Sequence, residues 1–172
     1  MKATLEVINR MQAEGIIGKY AIGGAVGATF YLEPAATLDI DIFVSLKHAP
    51  GSRLITLAPL YDYLAAKGYE SKGEYVVIEG WQVQFLPPGN ALGEEALAQA
   101  IQTEVDGIGT WVLTAEHLLA LSLQLGRPKD FARILQFIES GVVDADRLDA
   151  VLSRHDLLAK WQWFGDRFLG GA

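Results

Sequence analysis

The sequence predicts an α/β core that is followed by a helical extension. Two observations favour the core: the segments at 37–44 and 75–86 are rich in β-forming residues, and segments with apolar residues at helical spacing lie between them. A third observation is that helical patterns dominate from Glu94 onward. We therefore expect one compact unit over all 172 residues, with the α/β part at 1–108 and the helical part at 109–172.

Glycines mark the boundaries of the elements predicted for the first part. Leu5, Ile8 and Met11 give the spacing of an amphipathic helix, which Gly15 closes. Gly80 separates two β-rich runs, and this pattern indicates a hairpin. The predicted elements are a helix at 2–14, a strand at 19–22, a helical turn at 25–31, a strand at 37–44, a helix that includes Leu54 and Leu64 and ends before Gly68, and strands at 75–79 and 81–86.

Capping residues mark the helices of the second part. Thr114 can N-cap a helix that ends at Gly126, and Pro128 suits the first turn of the next helix. The first of these helices is predicted at 115–125. The other predicted elements are a helix at 94–102, a short strand at 110–113, and helices at 146–153 and 156–168.

A glycine pair and two aspartates form the most informative pattern. Gly23 and Gly24 follow a predicted strand, and Asp39 and Asp41 alternate with aliphatic residues on the next strand. A period of two places both carboxylates on one face, about 7 Å apart at Cα, where they repel unless a cation lies between them. Mg²⁺ prefers oxygen ligands and shares one or two carboxylates with water and phosphate, and glycine N–H groups approach a phosphate closely. The pattern predicts a site for Mg²⁺ and a nucleotide phosphate.

Each part of this pattern also has a purely structural interpretation. An Asp-x-Asp sequence on a half-buried strand often faces solvent, and a glycine pair often forms a tight turn. The order of strand, glycine pair, helical turn and Asp-x-Asp strand favours the functional interpretation, because these parts form one supersecondary unit.

A basic cluster opens the predicted Pro128 helix. Lys129 and Arg133 lie on one helix face at i and i+4 and, together with Arg127, could contact phosphates. The alternative is a solvated helix face in which Asp130 is the internal counter-charge.

Other chemical residues favour structural roles. Glu116 lies in the first turn of a predicted helix, where capping is a more common role than base catalysis. His48, His117 and His155 are too widely separated to predict a zinc site. The aromatic residues between Trp161 and Phe168 are most simply core, and a partner interface is the alternative.

Composition limits the classes of partner. The net charge of −7 and the pI near 4.9 disfavour a long nucleic acid as substrate, whereas a small nucleotide carried with Mg²⁺ is compatible with acidic ligands. The chain has no cysteine, no apolar leader and no apolar run long enough to span a membrane, so we expect a soluble cytoplasmic protein. The hydrophobic fraction of 51% is compatible with a surface for a protein partner or a homo-oligomer.

The motifs together resemble the minimal nucleotidyltransferase superfamily. They are Gly23-Gly24, Asp39-x-Asp41, the run at 83–87 and Gly126-Arg127-Pro128-Lys129-Asp130. The chain looks most similar to the branch that contains the nucleotidyltransferases of abortive-infection and toxin–antitoxin systems. The resemblance implies a short mixed sheet with flanking helices, a glycine loop that holds the triphosphate of an NTP, and Mg²⁺ bound by Asp39 and Asp41. It also implies transfer of a nucleoside monophosphate to a hydroxyl group, with release of pyrophosphate.

Two positions depart from the superfamily pattern. Active members carry a third carboxylate on a neighbouring strand, and Gln84 stands at the matching position. A neutral amide cannot accept a proton from an attacking hydroxyl. Ser122 stands where many members have a lysine, and Glu79 is a candidate substitute base.

Three hypotheses follow from these observations. The first is a Mg²⁺-dependent nucleotidyltransferase that uses Asp39 and Asp41 for catalysis and metal binding, and Gly23, Gly24 and Lys129 for nucleotide binding. The second is a nucleotide-binding or partner-binding module that has lost turnover. The third is an antitoxin-like or oligomeric interaction protein that uses the apolar helical part.

Overall fold

The computed structural model describes residues 1–34, 37, 39–46 and 56–170. The interpretations that concern Leu38, His48 and Leu54 lie outside these residues.

One mixed sheet forms the centre of the described chain. Its strand order is β3-β4-β5-β2-β1-β7-β6. The β2–β5 and β1–β7 pairs are parallel, and the other neighbours are antiparallel. The strands are β1 (Tyr20–Ile22), β2 (Asp39–Val44), β3 (Ser71–Lys72), β4 (Tyr75–Ile78), β5 (Trp81–Leu86), β6 (Ile101–Val105) and β7 (Ile108–Val112).

Helices cover both faces of this sheet. They are α1 (Lys2–Ala13), α2 (Gly24–Ala28), α3 (Ala58–Ala66), α4 (Ala91–Ala98), α5 (Ala115–Leu125), α6 (Pro128–Ser140), α7 (Ala145–Arg154) and α8 (Leu158–Phe168). The α/β class and the mixed sheet with flanking helices are therefore confirmed.

The alternation of residues in β2 divides the interior into two apolar clusters. Ile40, Ile42 and Val44 are buried in a cluster with α1 and α3. Phe43 points to the opposite face and packs against the cluster formed mainly by α4 to α8. Since Asp39 and Asp41 share the face of Phe43, the strand turns both carboxylates towards the C-terminal helices.

The strongest local signals give accurate helix boundaries. The side chain of Thr114 accepts a hydrogen bond from the His117 N–H, and Gly126 adopts a left-handed conformation with φ of +67°. These two caps fix the ends of α5 where the sequence predicted them. Pro128 occupies the first turn of α6, as predicted.

The helix predicted at 94–102 is wrong in its last turn. The helix α4 ends at Ala98, and β6 begins at Ile101 and forms a hairpin with β7. The alternation of Ile101, Thr103 and Val105 with polar residues is that of a strand, and the edge position of β6 in the sheet leaves most of it exposed. The sheet continues through β7 to Val112, beyond residue 108, and the C-terminal helices begin at Ala115.

The C-terminal aromatic residues are only partly core. Phe164 is fully buried and contacts Phe131 with ring centroids 5.7 Å apart. Trp163 and Phe168 also contact Phe131 but stay 44% and 38% exposed. The core interpretation therefore holds for Phe164, and the partner interface stays a prediction for the exposed rings.

Candidate active site

The junction between β1 and α2 is built on the backbone of the glycine pair. The Gly23 N–H donates a hydrogen bond of 2.8 Å to the carbonyl oxygen of Asp41. A Cβ at Gly23 would lie 2.5 Å and 2.7 Å from two ring carbons of Phe43. Glycine is thus required here because the ring of Phe43 occupies the space of a side chain.

Gly24 is in closer contact with the second aspartate. Its φ of +57° lies in the left-handed region, which favours glycine. A Cβ at Gly24 would lie 2.7 Å from Cγ and 3.0 Å from Cβ of Asp41, and closer still to its carboxylate oxygen. The carboxylate of Asp41 therefore rests against the first residue of α2.

Neighbouring groups shift the pKa of Asp41 in both directions. Burial raises the pKa of Asp41, and the neighbouring charge of Asp39 raises it further. Arg133, Lys129 and Arg127 oppose this shift in pKa because their positive charges favour the carboxylate. Asp39 and Asp41 are partly buried, and the three cations offset only part of the effect of burial and of the neighbouring carboxylate.

Both aspartates line a pocket with a volume of about 360 Å³. Its lining comes from β2, β5, the start of α2, the β3–β4 loop, α5 and the start of α6. Its lining includes Gly24, Ala25, Asp39, Asp41, Phe43, Glu74, Tyr75, Gln84, Leu86, Leu118, Leu121, Ser122, Leu125, Arg127, Lys129, Asp130 and Arg133.

The pocket brings together the residues predicted from distant parts of the sequence. Gly24, Asp39, Asp41 and Lys129 all line it. Gly23 lies behind it, between Phe43 and Leu113, and contributes by its backbone.

The start of α6 presents an organised basic wall. Asp130 is fully buried and accepts hydrogen bonds from Arg127 Nε at 2.6 Å, Nη2 at 3.1 Å and the backbone N–H at 3.2 Å. Arg133 Nη1 lies 3.9 Å from Asp130 Oδ1. Burial opposes ionisation of Asp130, but the hydrogen bonds and charges of the two arginines outweigh it and lower its pKa.

The basic cluster combines features of both interpretations, the phosphate contact and the internal counter-charge. Asp130 is indeed the counter-charge, but it is buried and orients Arg127 rather than lying on a solvated face. Lys129 makes no ion pair within 4 Å with another described residue. Since Lys129 lines the pocket, its ammonium group is available to an anion there.

Apolar side chains line the pocket together with the charged groups. Leu118, Leu121 and Leu125 present one face of α5, and Leu86 and Phe43 come from the sheet. An apolar wall beside a charged centre suits the flat ring of a nucleobase next to its phosphates.

Gln84 lies next to the strand of Asp39 and Asp41, at the position where the resemblance to the superfamily implies a third carboxylate. It is the register partner of Asp41 in the parallel β2–β5 pair, and it lines the pocket. Its Nε2 donates a hydrogen bond of 3.2 Å to Glu74 Oε2. Ser122, the other departure, is buried and lines the pocket from α5.

The suggestion that Glu79 is a substitute base is wrong. Glu79 lies in the turn between β4 and β5 with φ of +50°, and it is not among the residues that line the pocket. Its carboxylate accepts a hydrogen bond of 2.7 Å from the Tyr69 hydroxyl. The glutamate that lines the pocket is Glu74, and no motif in the sequence singled it out.

A second polar cluster, also missed by the sequence analysis, surrounds Glu95. Its carboxylate bonds Arg154 at 2.6 Å and 3.2 Å, and it lies 2.7 Å from His155 Nε2 and 3.2 Å from His117 Nε2. The Arg154 bond lowers the pKa of Glu95 to about 2, burial opposes this shift, and both histidines add to it. The cluster connects α4, α5 and the end of α7, so its role is to hold helices together.

Glu116 also has a structural role. It is buried, and its Oε1 accepts a hydrogen bond of 3.1 Å from the backbone N–H of Asp144. This bond joins the first turn of α5 to the N-terminus of α7, which is consistent with the structural interpretation of Glu116.

The donor atoms of the pocket fit Mg²⁺. Asp39 and Asp41 offer carboxylate oxygens on one face, which is the ligand type that this ion prefers. Among the described residues, no three His, Asp or Glu side chains are grouped so that they could hold one metal ion. Two carboxylates with water and substrate phosphates completing the shell is the common arrangement for Mg²⁺.

Solved structures with this fold share its arrangement along nearly the whole chain. A nucleotidyltransferase-like antigenic protein from Paracoccidioides brasiliensis is 16% identical, with a TM-score of 0.60 over 92% of this chain and 90% of that one. The antibiotic-resistance factor ANT(2″)-Ia is 17% identical, with a TM-score of 0.51 over 92% and 95% of the two chains. The chain has a nucleotidyltransferase-like fold.

The same resistance factor has also been solved in complex with adenylyl-2″-tobramycin. That structure is 16% identical, with a TM-score of 0.50 over 87% of this chain and 95% of the other. No protein-family model and no curated protein sequence matches the chain. At these identities the structural likeness establishes the fold.

No helix in the described part of the chain is both long enough and apolar enough to cross a membrane.

Proposed function

We propose that this protein is a Mg²⁺-dependent nucleotidyltransferase, which transfers a nucleoside monophosphate from an NTP to a hydroxyl group. The observation that carries the proposal is the shared pocket of about 360 Å³, which Asp39 and Asp41 line together with Arg127, Lys129 and Arg133. The nucleotidyltransferase-like fold of the structural neighbours supports it.

The residues of the pocket divide into three binding roles. Asp39 and Asp41 would hold Mg²⁺. The charge of the triphosphate would be neutralised by Lys129, Arg127 and Arg133. The backbone N–H groups at the start of α2 donate no hydrogen bond within the helix, so they would donate to the triphosphate. The leucines of α5 would form the surface against which the base packs.

Transfer in this site depends on position and charge more than on covalent chemistry. The acceptor oxygen attacks the α-phosphorus, the bond to the oxygen that bridges the α- and β-phosphorus breaks, and pyrophosphate leaves. Bound Mg²⁺ supplies neutralisation of the charge on the phosphate oxygens. The fixed cations of α6 stabilise the leaving pyrophosphate, since Asp130 orients Arg127 before the substrate arrives.

A small hydroxyl compound is the acceptor class that the chain favours. The net charge of −7 disfavours a polynucleotide, which needs an extended basic surface. A structural neighbour has been solved with tobramycin that carries an adenylyl group, so tobramycin is a reasonable first probe of the acceptor.

The second candidate is a nucleotide-binding module that has lost turnover. The observation that favours it is Gln84, which stands beside Asp41 where the resemblance expects a carboxylate. Such a module would bind an NTP through the same aspartates and cations, and its output would be a change in affinity for a protein partner.

Several finer features are part of this proposal. They are kinship with the toxin–antitoxin and abortive-infection branch, a cytoplasmic location, and a protein partner or second copy bound at the exposed rings of Trp163 and Phe168. A monomer that co-purifies with no partner would contradict the last of these.

Transfer of label separates the two candidates. The purified protein is incubated with each α-³²P-labelled NTP, Mg²⁺ and a panel of hydroxyl compounds that includes tobramycin and glycerol. Labelled product that disappears in Asp39→Asn and Asp41→Asn supports the transferase. Full activity in either variant contradicts the assignment of the metal ligands, and binding without product supports the second candidate.

A further inference from the structure

We propose that Glu74 is the general base of the site and that Gln84 holds it in position. This inference rests on the proposed function, because it concerns the step in which the acceptor hydroxyl loses its proton. The resemblance implies a third carboxylate at the position of Gln84, and we infer that Glu74, in the loop between β3 and β4, supplies this carboxylate instead.

The fold fixes the position of Glu74. Lys72 and Tyr75 are paired in the β3–β4 hairpin, so Gly73 and Glu74 form its two-residue loop. Gly73 has φ of +63°, and glycine at the first loop position is typical of a tight hairpin turn. The loop therefore presents Glu74 at a defined point at the edge of the pocket rather than on a long flexible segment.

Three observations connect Glu74 to the strand of Asp39 and Asp41. Glu74 lines the same pocket as Asp39 and Asp41. It accepts a hydrogen bond of 3.2 Å from Gln84 Nε2, and Gln84 is the register partner of Asp41. Neighbouring strands lie about 4.8 Å apart, so Gln84 bridges from the strand of the metal ligands to the carboxylate of Glu74.

The amide of Gln84 suits a position beside the carboxylate of Glu74. An amide donates a hydrogen bond to an ionised carboxylate, whereas a carboxylate at position 84 would repel Glu74. The hydrogen bond from Gln84 Nε2 fixes the orientation of the Glu74 carboxylate at the edge of the pocket. Gln84 is a positioning residue, and Glu74 is the group that touches the acceptor.

The proposed step is balanced in atoms and charge. The acceptor O–H gives its proton to a carboxylate oxygen of Glu74, and the acceptor oxygen forms a bond to the α-phosphorus. The bond between the α-phosphorus and the bridging oxygen breaks, and pyrophosphate leaves with the electron pair. Glu74 then releases the proton to solvent, to which its exposed side chain has direct access.

The cations and the proposed base come from different elements of the pocket. Arg127 is the N-cap of α6, and Lys129 and Arg133 lie within this helix. Glu74 lies in the β3–β4 loop and Gln84 in β5. Pyrophosphate is drawn to the cations, so the acceptor enters from the side of Glu74. An in-line displacement requires the attacking and leaving groups to be on opposite sides of the phosphorus.

The test compares variants in two assays. The first assay is transfer from α-³²P-ATP to the hydroxyl panel across a range of pH, and the second is calorimetric binding of ATP with Mg²⁺. The variants are Glu74→Gln, the exchange variant Glu74→Gln/Gln84→Glu, and Glu79→Gln as the control carboxylate outside the pocket.

We expect the Kd of Glu74→Gln for ATP to stay within about twofold of the wild-type value, and its transfer rate to fall roughly 100-fold or more. The decrease in rate that the wild type shows at acidic pH should be absent from this variant. The exchange variant keeps one amide and one carboxylate in contact and should recover at least about tenfold. Glu79→Gln should match the wild type in both assays.

Four outcomes separate this inference from the proposed function. Transfer at the wild-type rate in Glu74→Gln overturns the role of Glu74 and leaves the transferase intact. Loss of ATP binding in the same variant assigns Glu74 to the nucleotide instead of the acceptor and also overturns it. A wild type that binds ATP without transferring it has no working base, which overturns the inference in favour of the binding module. A wild type that binds no NTP overturns both proposals.

Discussion

The backbone of Gly24 and the carboxylate of Asp41 occupy adjacent space, so that neither residue can change without affecting the other. A side chain at Gly24 would lie within 3.0 Å of Asp41 Cβ, and the φ of Gly24 is one that other residues rarely adopt. The glycine motif and the aspartate motif, which are 17 residues apart in the sequence, are therefore one structural unit.

Gly24→Ala should lower both stability and nucleotide binding. The new methyl group meets the Asp41 carboxylate and the backbone conformation becomes strained, so the loss should exceed the ~1–2 kcal/mol of the conformation alone. Chemical denaturation and ATP titration measure the two effects. Gly141→Ala is the matched control, since Gly141 has φ of +66° and open space around it. Equal losses in the two variants would contradict the role of the Asp41 contact.

Lys129→Ala should weaken ATP binding without changing stability. Lys129 lines the pocket, and its ammonium group makes no ion pair with a described residue, so we expect its loss to remove only a contact to the ligand. A charged hydrogen bond contributes about 1.5–3 kcal/mol, which corresponds to at least about a tenfold increase in Kd. Lys67→Ala, outside the pocket, is the control. A Kd that stays unchanged in Lys129→Ala would exclude a phosphate contact.

Asp130→Asn should lower the stability of the fold. The fully buried carboxylate accepts three hydrogen bonds from Arg127, and an amide cannot match its charge. We expect a loss of about 1–3 kcal/mol, moderated because the side chain of Arg127 is 50% exposed. Since the folded pKa of Asp130 is lowered, its contribution disappears as the pH falls through that pKa. Thermal melts at pH 7 that leave the variant as stable as the wild type would refute this role.

Glu95→Gln should reduce stability in a manner that depends on pH. The pKa of Glu95 is lowered to about 2 from an ordinary value of 4.5, so its charge stabilises the fold above pH 4.5 and this contribution is lost as the pH falls towards 2. We expect a loss of about 1–2 kcal/mol at pH 7, reduced by solvent around Arg154, and little difference from the wild type near pH 2. Denaturation at both pH values measures this, with the exposed neighbour Glu94→Gln as control. A difference that does not depend on pH would refute the ionic contribution.

Local signals explain how much of the fold could be predicted. The caps Thr114 and Gly126 and the alternation around Asp39 and Asp41 are short-range features, and the elements they mark formed as expected. The missed strand β6 also had a local signal. Asp106 and Gly107 have φ of +53° and +80°, and this dipeptide is typical of a two-residue hairpin turn.

The rest of the site depends on the order of strands, which local patterns do not contain. Glu74 reaches the pocket because β4 and β5 extend the sheet beside β2. Glu79 lies at the other end of β4, where its carboxylate binds the Tyr69 hydroxyl. Similarly, Glu95 meets His117 and Arg154 across 22 and 59 positions of sequence, without any spacing that a motif could reveal.

The most direct test of the central claim is calorimetric titration with each NTP, with and without Mg²⁺. The wild type is compared with Asp39→Asn/Asp41→Asn and with the charge-matched control Asp62→Asn/Asp149→Asn, whose exposed carboxylates lie outside the pocket. We predict Mg²⁺-dependent binding that the control retains and that the first double variant loses by at least about tenfold. Equal affinity in both double variants, or no binding of any NTP by the wild type, would contradict a metal–nucleotide site at Asp39 and Asp41.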